Sequence, residues 1–215
     1  MIVAFPYSYC GWERKKDLRD IVNTFARVFK QQWPNDKLVQ ATDAKTCEVK
    51  GVDECVRLDV EPFGIWYFSA WINFPYDEYL RIDDDVVVRA DVSEVWDEKF
   101  DIAIADERGS KSHNKFRMTT MNGGVVFVRN RDFFRESLKH YKEETGMDNW
   151  QDLQIAMQMT INAGNFLVHR LDPMVYNYYP ENDRTPHPAL PKIIHYKGKR
   201  KSRMVRDYKQ LLEAV

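Results

Sequence analysis

Residues 80–88 read Leu-Arg-Ile-Asp-Asp-Asp-Val-Val-Val, and no other stretch constrains the fold as tightly as these three consecutive acids between apolar runs. Leu80, Ile82, Val86, Val87 and Val88 suit a parallel strand buried on both faces. A bare carboxylate at such a place carries a heavy desolvation cost unless it is paired or binds a metal. In an extended segment Asp83 and Asp85 would project from one face and Asp84 from the other. The result would be an Asp-x-Asp pair, two hard oxygen ligands at the mouth of a sheet. Such a pair suits Mg²⁺ or Mn²⁺, whose shell is completed by water, a further ligand and substrate phosphate oxygens. On the tripeptide alone, an acidic turn with solvated carboxylates explains the pattern equally well.

With 215 residues the chain suffices for one sizeable core, so a single domain over 1–215 is expected. Lys and Arg number 32 against 33 Asp and Glu, so bulk charge does not mark a nucleic-acid binder and sign must be read locally. Apolar residues at 44% and aromatics at 13% exclude a disordered chain. Cys10, Cys47 and Cys55 lack metal-site spacing and read as free thiols of a reducing compartment. The apolar run at 2–5 is too short for a signal peptide, and no run approaches the roughly 20 apolar residues of a membrane span. A cytoplasmic protein without a transmembrane segment is expected. Composition leaves the oligomeric state open.

Patterning along the chain alternates strands and helices. Residues 2–5 read as a strand, about 17–32 as an amphipathic helix, 38–41 and 56–60 as strands, and 65–74 as an aromatic helix. After the acidic stretch, 91–96 reads as a short capped helix and 100–105 as a strand ending in Asp106 and Glu107. Residues 108–117 form a basic polar loop. Asn122-Gly123-Gly124 would open a strand at 125–128, followed by helices at 131–145 and 149–162. A strand at 166–171, an irregular segment at 172–191, a short strand at 192–196 and a basic run into a final helix complete the order. This pattern predicts an α/β fold with a mixed, mostly parallel central sheet flanked by helices.

Four features follow one another: Asp83-Asp84-Asp85, Asn122-Gly123-Gly124, Trp150-Gln151-Asp152, and His195-Tyr196-Lys197-Gly198-Lys199-Arg200-Lys201. In that order they resemble the retaining glycosyltransferases of family 8, the group that includes glycogenin and bacterial lipopolysaccharide galactosyltransferases. The most specific matches are the strand 79–88 with its Asp-Val-Ser-Glu-Val-Trp continuation, and His-x-x-Gly-x-x-Lys at His195, Gly198 and Lys201. The resemblance implies a single GT-A domain, Rossmann-like, that transfers a sugar from a nucleotide-sugar donor, a UDP-sugar, using Mn²⁺ or Mg²⁺. By the same resemblance Asp83, Asp85 and His195 would hold the ion, while Lys201 and Gly198 would hold the diphosphate. Asn122 would contact the donor sugar or acceptor, Gln151 would lie beside the anomeric carbon, and Asp152 would contact sugar hydroxyls. Asp84 points away from the ion in this reading, toward the ribose, the donor sugar or a basic neighbour.

Some positions depart from the family pattern. Trp150 stands where the family has an acid, residues 68–73 lack the family's donor-contacting arginine, and Ser202-Arg203 replaces Pro-Trp. The resemblance implies retention of the anomeric configuration, and because no double-displacement nucleophile is evident a front-face substitution is expected. The acceptor is open between a glycan, a lipid-linked or protein-linked glycan, and an anionic acceptor such as a modified nucleic acid facing the basic loop. Two alternatives stand beside this reading: a nucleotidyltransferase, and a glycan-binding module of the same fold without catalysis.

Overall fold

The computed structural model describes residues 1–7, 16–59, 63–106, 119–145, 150–180, 189–197 and 203–208. Nine strands and five α-helices, with a further helical stretch at 203–208, are laid out there in chain order. The first half is β1 (Ile2–Pro6), α1 (Lys16–Gln32), β2 (Lys37–Thr42), β3 (Glu54–Arg57), α2 (Phe63–Ile72), β4 (Tyr79–Ile82) and β5 (Val86–Val88). After a 3₁₀ turn at Ser93–Asp97 come β6 (Ile102–Asp106), β7 (Met121–Val128), α3 (Asp132–Glu144), α4 (Trp150–Asn162), β8 (Val168–Leu171), α5 (Pro173–Tyr176) and β9 (Ile193–His195). The predicted segments reappear with ends shifted by a few residues. The exception within 172–191 is α5, a single turn capped by the Asp172 carboxylate, which accepts from Met174 N.

Seven strands form one sheet in the order β3-β2-β1-β4-β7-β6-β8, and β5 pairs with β9 in a separate antiparallel ribbon. Every sheet pairing is parallel except the two made by β7, which runs against β4 and β6. A mixed, mostly parallel sheet is what the alternating pattern predicted. Parallel strands buried on both faces need two covers. On one face α1 lays Ile21, Val22, Phe25 and Phe29 against Val3, Phe5, Leu80, Ile82 and Phe127. On the other, α2, α3 and α4 enclose Ala4, Val39, Tyr79, Val126 and Val128. Helix α2 is apolar nearly all round, as a helix caught between sheet and α3 must be. Its Gly64 faces the Tyr141 ring of α3 so closely that any Cβ there would overlap the ring.

Strand order decides where a site can form. β1 has β2 on one side and β4 on the other, so the chain reverses its direction of growth between β1 and β4. Ligands of open α/β sheets bind in the crevice outside the carboxyl ends at such a switch point. The ends of β1, β2, β4, β6 and β8 share that edge with the start of antiparallel β7.

Edge strand β3 is pinned to β2 by carboxylates. Lys37 Nζ lies 2.6 Å from Glu54 Oε2, and Leu38 N donates to Asp53 Oδ2 at 2.8 Å. The Lys37 hydrogen bond holds the Glu54 carboxyl below its ordinary range. For Asp53, burial works against the charge, but the Leu38 amide and Lys30 outweigh it and the pKa is again lowered. Carboxyls lowered by folding stabilise fully above their unfolded pKa, about 4, and lose that contribution as pH falls through the folded value. The thermal unfolding midpoint is therefore expected to drop on acidification below about pH 4. Glu54→Gln should make the drop shallower in a melting series against pH, and an unchanged slope would remove Glu54 from this account.

Candidate active site

Asp83, Asp84 and Asp85 follow the last residue of β4, at the switch-point crevice. The extended geometry expected for them does not occur. Val86 N donates to Asp83 O at 3.3 Å, so the three acids form a tight turn between β4 and β5. The turn still delivers both outer carboxylates to one place, because a partner holds each end. Asp83 N donates to Gly124 O at 2.9 Å, and Tyr196 N donates to Asp85 O at 2.8 Å. Asp84 is buried, which rules out the solvated acidic turn.

The ribbon of β5 and β9 brings in the third group. Val86 pairs with His195 in that ribbon, and His195 Nε2 comes to 3.1 Å from Asp85 Oδ1 and 3.7 Å from Asp83 Oδ2. One ligand atom from each of Asp83, Asp85 and His195 lies within 4.8 Å of the others. Such a spread fits one coordination sphere with ligand distances of about 2.0–2.2 Å. Two carboxylate oxygens and an imidazole nitrogen suit Mn²⁺, and Mg²⁺ less well because of the nitrogen.

Asn122, Gly123 and Gly124 do not precede their strand as expected; they lie within β7, where it bulges. Between the pairs Ile104↔Val126 and Asp106↔Met121, two steps along β6 span five along β7. Three backbone groups of this segment serve the site. Gly123 O accepts from Arg81 Nη1, Gly124 O accepts from Asp83 N, and Gly124 N donates to Asn122 Oδ1 at 2.9 Å. A Cβ on Gly124 would fall on the imidazole of His195, 2.6 Å from its Nδ1. Behind His195, Asn177 presents Oδ1 at 3.0 Å from Nδ1 and donates from Nδ2 to Asn122 Oδ1 at 3.0 Å.

Arg81 is the residue that sequence reasoning left without a role. Its side chain is 2% exposed, and Nη2 donates to Asp83 Oδ1 at 2.5 Å. The guanidinium carbon lies 5.1 Å from the ring centroid of Tyr67 and 5.8 Å from that of Trp71, both on α2. Burial disfavours its charge, yet Asp83 and the surrounding phenols more than offset that and keep its pKa above the usual arginine value. Helix α2 thus lacks an arginine of its own and instead encloses one from β4. A cation two residues before an acid, on one side of an apolar strand, was the available signal. Nothing in the tyrosine-rich stretch around Asn177 signals its contact with His195.

The other predicted residues are placed as follows. Gln151 and Asp152 stand in the first turn of α4, the former exposed and the latter buried. Gln151 lies one turn before Gln154, which flanks Gly123 of the bulge together with Met157. Asp106 ends β6, where Arg170 Nη1 donates to it at 2.9 Å. Gly198, Lys201, Glu107 and the loop 108–117 lie outside the described residues. No helix among the described residues is long and apolar enough to cross a membrane.

The sheet order, the reversed β7 and the acids after β4 define the GT-A fold, as comparison with solved structures bears out. The galactosyltransferase LgtC, solved with donor and acceptor sugar analogues, matches with a TM-score of 0.62 at 13% identity, over 100% of this chain and 96% of its own. A glycosyltransferase involved in glycosylating the major capsid of PBCV-1 matches at 0.61 with 12% identity, over 97% and 98%. GlyE of Streptococcus pneumoniae TIGR4 matches at 0.62 with 13% identity, over 99% of this chain and 62% of that one. No protein-family model matches the sequence, and no curated protein sequence matches it.

Proposed function

We propose that the protein is a divalent-metal-dependent glycosyltransferase that moves a sugar from a nucleotide-sugar donor, by family resemblance a UDP-sugar, to an acceptor hydroxyl. The observation that carries this reading is the convergence of Asp83, Asp85 and His195 at the switch-point crevice of a GT-A fold. The fold alone supports many chemistries, so the site has to carry the argument. Asp83, Asp85 and His195 would hold Mn²⁺ or Mg²⁺, and when bound the ion would neutralise the charge gathering on the departing nucleoside diphosphate. Lys201, with Gly198 permitting close backbone approach, is proposed to hold the diphosphate as a point charge. Asn122 is proposed on the family resemblance alone to contact the donor sugar or acceptor, and its side chain is 1% exposed.

Retention follows from the proposed step. The bond from the anomeric carbon to the phosphate oxygen breaks, the bond to the acceptor oxygen forms on the same face, and the acceptor proton passes to the leaving phosphate. Gln151 beside the anomeric carbon and Asp152 on the sugar hydroxyls would position the donor for this. The acceptor is proposed to enter over the β6–β8 side of the edge, past Asp106 and Arg170.

A thermal-shift screen of nucleotide sugars with Mn²⁺, followed by turnover of the stabilising donor, tests the reading. Asp85→Asn and His195→Gln are each expected to lower turnover by about 100-fold or more, beyond the usual effect of outer-shell changes. Turnover that survives both substitutions and chelation would overturn metal dependence. Donor stabilisation without any turnover would leave a binding module.

A further inference from the structure

We infer that Asn122 and Asn177 form a relay, anchored on the backbone amide of Gly124, that sets the tautomer of His195 and presents its bare Nε2 to the cation. The inference rests on the metal-site reading above and assigns a role to Asn177, which no motif marks. Its logic runs outward from an atom whose role cannot change. The Gly124 amide can only donate, so the Asn122 atom 2.9 Å from it is the carbonyl oxygen. That oxygen also faces the Asn177 side chain at 3.0 Å, so the Asn177 atom there is its amide nitrogen. Asn177 therefore turns its oxygen to His195 Nδ1, 3.0 Å away, and Nδ1 carries the proton.

Flipping either amide breaks the chain of donors and acceptors. With Asn122 reversed, its nitrogen would meet the Gly124 amide and the Asn177 amide, three donors together. With Asn177 reversed, its oxygen would meet the fixed oxygen of Asn122. Asn122 and Asn177 are each 1% exposed, so water does not substitute for a lost partner. The Tyr179 hydroxyl, 3.3 Å from Asn177 Nδ2, accepts a second bond from the same nitrogen and agrees with this polarity. Tyr179 also sets its ring edge-on to the imidazole, with centroids 5.5 Å apart.

The relay acts against a strong competitor. Asp85 Oδ1 lies 3.1 Å from Nε2 and would draw a proton onto that atom in a neutral ring. With Nδ1 holding the proton instead, the Nε2 lone pair points between two carboxylates, an arrangement that only a cation or a further proton satisfies. Asn177 is thus a positioning residue, and the asparagine of the β7 bulge acts through it.

Nitrogen chemical shifts of selectively labelled histidine test this in the metal-free protein, at a pH raised until the labelled ring itself reads as neutral, with His195→Gln assigning the resonance. Wild type is expected to show a protonated Nδ1 and a bare Nε2, and Asn177→Ala to move the proton to Nε2. Asn177→Ala should also weaken Mn²⁺ binding, measured without donor, by about 10–100-fold. A wild-type ring protonated on Nε2 overturns the relay, as does an Asn177→Ala protein with unchanged tautomer and unchanged Mn²⁺ affinity. Neither measurement uses sugar transfer. A correct tautomer in a protein with no turnover would sink the enzymatic reading alone, and turnover with the wrong tautomer would sink the relay alone.

Discussion

Asp83→Ala is expected to destabilise the protein by about 3 kcal/mol, whereas Asp83→Asn and Asp85→Ala should cost far less. The cause is Arg81. Removing the Asp83 carboxylate leaves a guanidinium that is 2% exposed, against the Gly123 carbonyl and two aromatic faces among the described residues. Breaking a buried pair in this way costs about 3–5 kcal/mol, and the lower end applies because Asp83 itself is 35% exposed. Asparagine keeps an acceptor for Nη2. Asp85 is one of three adjacent acids, so its loss also relieves repulsion. Chemical denaturation of the three variants decides the matter, and an Asp83→Ala protein within about 1 kcal/mol of wild type would show Arg81 to be satisfied without its carboxylate. The practical consequence is that Asp85 and His195 test metal dependence cleanly, while an inactive Asp83→Ala protein reports a damaged fold as readily as a damaged metal site.

The second large effect is expected at Gly124. Alanine there places a methyl group on the Cε1–Nδ1 edge of the His195 ring, the edge that Asn177 also holds. Either β7 shifts, at an overpacking cost of about 1–3 kcal/mol, or His195 leaves the two carboxylates. Mn²⁺ affinity should fall by at least the 10–100-fold typical of a disturbed outer shell. Gly123→Ala is the control. Its Cβ would meet Met157 Sδ at 3.4 Å, the end of a flexible side chain that can give way. Equal Mn²⁺ affinity in wild type and Gly124→Ala would show that the bulge does not hold the imidazole.

Patterning read the layers of the fold well because strands buried on both faces and an amphipathic α1 follow directly from apolar spacing. A mixed sheet was expected, but which strand runs against its neighbours was not legible, since strand patterning carries no sign of orientation. The candidate metal ligands were legible, Asp83 and Asp85 from residue type and His195 from the family resemblance. The reason offered for their convergence was wrong in form, because Asp83 and Asp85 meet through a turn clamped by Gly124 O and Tyr196 N. Glycines at 123 and 124 suggested a turn, and their actual work is a bulge that supplies backbone acceptors to Arg81 and Asp83. Asn177 reaches His195 through tertiary packing alone, and no local pattern encodes that.

The ribbon of β5 and β9 makes the candidate cation site depend on two segments far apart in the sequence. Asp85 and His195 flank a strand pair whose halves come from distant parts of the sequence, so the third ligand arrives only when the late segment has closed over the early one. Such long-range pairings form late in folding, because loop closure must be met before contacts reward it. A chain without residues 193–197 would keep the Arg81 clamp on Asp83 but lose both the imidazole and the Tyr196 amide that holds Asp85. A cation bound there would stabilise the native state by mass action at the seam between β5 and β9.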